Sequence, residues 1–149
     1  MSALVMALVI SPAAVSYPNG IQGVKDSGCN CHGAVTSSEV VPSITGLPDQ
    51  YNYSETYEIT VSFVGGPSDP SNINQGGFNL WVSDGELSPS DATVQSYSVN
   101  EVSHTEAGND QTSWTMTWTS PSSDRNVEFV LHTNSCLLYT SDAADERNS

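Results

Sequence analysis

The stretch SWTMTWTSP, residues 113–121, decides the fold. Trp114, Met116 and Trp118 occupy alternate positions, Thr115 and Thr117 stand between them, and Ser120-Pro121 ends the run. A period of two puts the three large apolar side chains on one face of a strand and the threonines on the other. The same alternation recurs on both sides. Upstream, Tyr57, Ile59, Val61 and Phe63 alternate with Glu58, Thr60 and Ser62, and Phe78, Leu80 and Val82 alternate with Asn79, Trp81 and Ser83. Downstream, Val127, Phe129 and Leu131 alternate with Glu128, Val130 and His132. Val40–Ile44, Thr93–Val99 and Val102–Glu106 read as weaker strands, and Asp84-Gly85 and Ala107–Gln111 as turns. No segment sustains a helical period. About seven short strands between turn signals predict an all-β, antiparallel, immunoglobulin-like sandwich over residues 39–135.

The ends of the chain differ from this body. Ala3–Ile10 is an apolar run too short to cross a bilayer as a helix, Ser11-Pro12 breaks it, and Ala14-Val15-Ser16 offers small residues for a peptidase. Residues 1–16 therefore read as a secretory signal lacking its basic start, either truncated or atypical. Residues 17–38 hold Gly20, Gly23, Gly28 and Gly33, lack any hydrophobic period and read as an irregular segment. Residues 136–146, CLLYTSDAADE, resemble a translated sequencing adapter, so 136–149 is expected to be an artefactual tail. Cys29 and Cys31 are then the only native cysteines.

The 149 residues carry 3 Lys and Arg against 17 Asp and Glu, a formal net charge of −14. Such a surface repels nucleic acid and anionic membranes, because almost nothing on it pairs with phosphate. No further apolar stretch is long enough to span a membrane. The expected location is secreted or extracytoplasmic, with cell-surface anchoring through a segment beyond Ser135.

Gly28–Gly33, GCNCHG, is the constellation with obvious chemistry. Two thiols beside an imidazole resemble the Cys-x-x-Cys-His signature of c-type haem attachment, with one residue fewer between the cysteines. In that reading Cys29 and Cys31 tether the macrocycle through thioethers and His32 is the axial ligand. The same three groups suit copper(I) or zinc, and the two cysteines alone suit a small, strained disulfide. A sixth ligand to iron would come from His104, in the polar SHTEAG segment near a turn, ahead of the outward His132 and of Met116, whose spacing marks it as core. The reading of His104 as an ordinary exposed histidine stands beside that one.

The order of motifs resembles the choice-of-anchor V family: GCNCHG, then SETYEITVSF at Ser54–Phe63, GGFNLWVSDG at Gly76–Gly85, SHTEAG at Ser103–Gly108, SWTMTWTSP and NVEFVLHTN at Asn126–Asn134. That resemblance covers residues 17–135 and implies a Reelin-like β-sandwich behind a haem-type Cys-His segment. It makes haem c on Cys29, Cys31 and His32 the expectation, and with it electron transfer outside the cytoplasm; His104 would then be the second iron ligand, and the acidic surface would favour a basic redox partner. The competing expectation is a non-catalytic cell-surface interaction or adhesion domain with a structural Cys-His segment. There Trp81, which points away from Phe78, Leu80 and Val82, and the long loops would meet the partner. Asp49, Glu55, Asp69 and Asp84 match no calcium loop, Asn52-Tyr53-Ser54 has the pattern of a glycosylation sequon, and no nucleophile motif or triad is visible.

Overall fold

The computed structural model describes residues 18–27, 39–66, 68 and 70–135. The Cys29, Cys31 and His32 motif, the signal-like residues 1–16 and the tail 136–149 lie outside the described residues. Eight strands are present among the described residues: β1 (Val41–Thr45), β2 (Thr56–Val64), β3 (Gly76–Val82), β4 (Glu86–Pro89), β5 (Val94–Ser98), β6 (Glu101–His104), β7 (Ser113–Thr119) and β8 (Phe129–Ser135). They form two antiparallel sheets, ordered β1-β2-β7-β4 and β5-β6-β3-β8. The fold is an all-β sandwich, as the alternation predicts.

The core lies where the inner faces meet. Ile59, Val61 and Phe63 from β2 and Trp114, Met116 and Trp118 from β7 face Phe78, Leu80 and Val82 from β3 and Val102 from β6, all of them buried. Phe78 and Trp114 lie 4.8 Å apart between ring centroids, and Trp118 meets Phe129 edge-on at 5.2 Å. Each buried indole has found an acceptor, as a polar N–H in an apolar interior must. Trp114 Nε1 donates to the Gly108 carbonyl at 2.7 Å and Trp118 Nε1 to the Asp84 carbonyl at 3.2 Å. The outer face of the first sheet carries the alternating hydroxyls, paired across strands as Ser43–Ser62, Thr60–Thr115 and Thr56–Thr119.

The sequence reading counts about seven strands, and the eighth is β4. Its four residues contain one apolar side chain facing inward, Leu87, which is too few to show a period. It lies at a sheet edge, paired only with β7, and ends at Pro89, which cannot donate to a ladder. The expected turn at Asp84-Gly85 is present: Gly85 has φ +88° and its N–H is held by Asp84 Oδ1 at 2.8 Å.

Candidate functional site

Residues 18–27 form no strand, yet they are fastened across the outer face of the second sheet. The contacts span the sheet from β5 to β8. Gln95 Nε2 and Tyr97 Oη on β5 both donate to the Asn19 carbonyl, the phenol at 2.9 Å. Asn79 Nδ2 on β3 donates to the Ile21 carbonyl at 2.8 Å, and Glu101 Oε1 on β6 accepts from the Gly23 N–H at 2.7 Å. His132 on β8 meets the Lys25 carbonyl through Nε2 at 3.1 Å. Lys25 Nζ sits 4.0 Å from the centroid of Trp81, a cation–π contact that covers the indole. Val24 is buried. The segment is a strap held chiefly by side chains of the sheet reading its backbone.

The strap explains why polar outer-face residues are buried. Asn79 and Ser103 are fully inaccessible although their strand positions point outward. Both nearest neighbours of Asn79 Nδ2, the Ile21 carbonyl and Glu101 Oε1 at 2.9 Å, are acceptors, which fixes the amide's orientation. Asn79 Oδ1 finds no partner among the described residues. Gly20 has φ +71°, and a Cβ there would collide with Ser103 Oγ and the His104 carbonyl. Trp81, expected to be open to a partner, is half-covered and engaged by Lys25.

His104 is likewise not the exposed or edge-facing residue the polar SHTEAG segment implied. It ends β6, an inner strand flanked by β5 and β3, and is 9% exposed. Backbone pairing of β6 with β3 stops at Ser103, and the imidazole continues it: the Phe78 N–H donates to His104 Nδ1 at 3.1 Å. The ring fits because Gly77 has no side chain, and it packs toward Phe78 and Trp114. Met116 is fully buried core, as its spacing predicts. Among the described residues no group of three or more His, Cys, Asp or Glu is arranged to hold a metal ion.

An open groove lies at one end of the sandwich, between the loop after β1 and the loop after β7. It encloses about 530 Å³, with Asp49, Gln50 and Tyr53 on one wall and Asp124 and Asn126 on the other. Tyr51 supports it from beneath. Its hydroxyl accepts from the Arg125 N–H at 2.8 Å and lies 2.9 Å from the Arg125 carbonyl, and its ring stands edge-on to Trp118 at 5.6 Å. Asp84, one of the four loop acids considered for calcium, instead pairs with Arg125 Nε at 3.1 Å. Glu55 accepts from the Asn52 amide and the Tyr57 hydroxyl, so the sequon asparagine is tied down within its own turn. Asp49 faces the groove, and Asp69 lies outside the described residues. Sequence reading missed both the groove and the strap, since each is made by residues distant in the chain.

Two antiparallel four-stranded sheets packed face to face define the class, a β-sandwich. Among solved structures the chain is similar to the human F-spondin reeler domain. One crystal structure of it, fragment 1, shares 20% identity over 63% of this chain and 74% of that one, with a TM-score of 0.45. Fragment 2 shares 19% over 63% and 76%, with a TM-score of 0.44. The Reelin-N domain of F-spondin shares 18% over 66% and 75%, with a TM-score of 0.45. No family model and no curated protein matches the chain.

Proposed function

We propose that the chain is an extracytoplasmic, non-catalytic interaction domain of the cell-surface or adhesion kind. The observation that carries this reading is the engagement of both described histidines by the fold: His104 completes a strand pairing and His132 ties down the strap. Both imidazoles thereby serve to hold the fold, and the end loops supply the recess. The signal-like residues 1–16 and the resemblance to choice-of-anchor V proteins support the location. The net charge of −14 favours partners that are neutral or basic.

The electron-transfer reading rests on Cys29, Cys31 and His32. His104 Nδ1 lies 3.1 Å from the Phe78 nitrogen and 3.2 Å from the Phe78 carbonyl, so the atom it could turn to an iron is Nε2. A copper(I) or zinc site would likewise have to be built from the Cys-His segment itself.

The test is to express the chain with haem-maturation machinery and recover it outside the cytoplasm. The expected result is a mature N-terminus near Tyr17, no covalent haem band in a pyridine haemochrome spectrum after denaturation, and saturable binding to isolated cell-envelope material. A covalent haem band that survives denaturation would overturn the interaction reading in favour of electron transfer.

A further inference from the structure

We propose that the groove between the loop of residues 47–55 and the loop of residues 120–126 binds an uncharged oligosaccharide. The inference rests on the interaction-domain reading and names the chemistry of its ligand. Three features of the groove point to a sugar.

The first is an exposed aromatic platform. Tyr53 is 59% exposed, and its ring packs against Tyr51 at 6.3 Å with the planes inclined by 60°. A ring held from one side by another ring offers a face to solvent. The C–H face of a pyranose is apolar and stacks on such a surface, while its hydroxyls remain free to bond at the sides.

The second is a rim of uncommitted polar groups. Asp49, Gln50, Asp124 and Asn126 are all exposed, and their side chains make no hydrogen bond among the described residues. Carboxylates accept two hydroxyls at once, and amides both donate and accept, which matches vicinal sugar hydroxyls. The one cation at the groove, Arg125, is turned to Asp84. With Asp49, Asp124 and Asp84 around it, that arginine is outnumbered by carboxylates, which disfavours sulfated or uronic-acid chains.

The third is preorganisation. The Ser54 N–H donates to the Pro121 carbonyl at 3.1 Å, and the Ser120 N–H to the Glu55 carbonyl at 2.9 Å, so the two loops are laced together. Ser120 Oγ adds a bond to the Asn52 carbonyl at 2.6 Å, and the Asn52 N–H reaches the Tyr57 hydroxyl at 2.8 Å. The walls are thus fixed before a ligand arrives, which lowers the entropy lost on binding. The volume of about 530 Å³ falls within the usual span for small-molecule sites, about 300–1,000 Å³.

The experiment titrates the exported chain with cellotetraose, maltotetraose and the tetramer of N-acetylglucosamine, read by calorimetry and by intrinsic tryptophan emission, since Trp118 stands edge-on to Tyr51 of the groove. At least one tetrasaccharide is expected to saturate, and Tyr53→Ala to weaken it about tenfold or more with an unchanged circular dichroism spectrum. Asp124→Asn should weaken it as well. The proposal is overturned if none of the three saturates, if Tyr53→Ala binds as the parent does, or if calcium chloride or choline occupies the groove in their place. Envelope binding without saturation by any of the three tetrasaccharides would sink the groove and leave the interaction domain standing. Loss of all envelope binding by the parent chain would sink the interaction domain, and the tetrasaccharide titration would still decide the groove.

Discussion

Gly77 and His104 act as one unit, because the missing side chain of the first is the room occupied by the second. A Cβ at position 77 would stand 2.8 Å from both ring nitrogens of His104. Gly77→Ala is therefore expected to lower stability by about 1–3 kcal/mol in urea denaturation, the usual cost of overfilling a packed site. His104 read as a polar turn residue because its environment is supplied by β3, 26 positions away along the chain. Local pattern carries no information about such a partner. Tyr97 makes a residue-scale statement about pH. Burial and the Glu101 carboxylate raise its phenol above the ordinary value of 10.0. The folded state thus favours the neutral phenol, the form that donates to Asn19. This contribution is complete below pH 10.0, the unfolded value, and disappears as pH climbs through the folded one. Amide exchange at Asn19–Ile21 should accelerate across that alkaline range, and Tyr97→Phe should remove the pH dependence.

Among the elements, the four best-patterned strands were legible because each has several large apolar residues on one face. β2, β3 and β7 bury every inward side chain except Tyr57 and Gly76, which are half-buried. β4 was not legible, since a four-residue edge strand with one buried apolar side chain has no period to detect. The strap was invisible for a different reason: its recognition belongs to the sheet, whose side chains read the strap's backbone whatever residues it carries. Asn79 gives no warning either, because the outward position of an alternating strand reads as solvent-facing and it is the strap that buries it. Asn79→Asp replaces the donor to Ile21 with a carboxylate facing Glu101. It is expected to cost about 2 kcal/mol or more and to release the strap, seen as lost hydrogen-exchange protection at Ile21 and Gly23 with the sandwich intact.

At the scale of the molecule, charge is the dominant property. Three cations face seventeen acids, and both cations in the described body are structural: Lys25 clamps the strap and Arg125 braces the groove through Asp84. Self-repulsion then opposes compactness, and salt should relieve it. Raising sodium chloride from about 20 mM to about 0.5 M is expected to raise the melting temperature by about 5 °C, measured by calorimetry. The all-β class and the acidic surface were readable from composition and alternation, whereas the groove was not, because its walls come from loops some 70 positions apart. The strap also has a mechanical meaning. It crosses the second sheet from β5 to β8 and touches one or two strands at a time. Peeling from the Pro18 end breaks the Asn19 bonds first, then those at Ile21, Gly23 and Lys25, one after another. Such a segment lifts stepwise while the core stays folded, so the strap is a graded cover over the outer face of the second sheet.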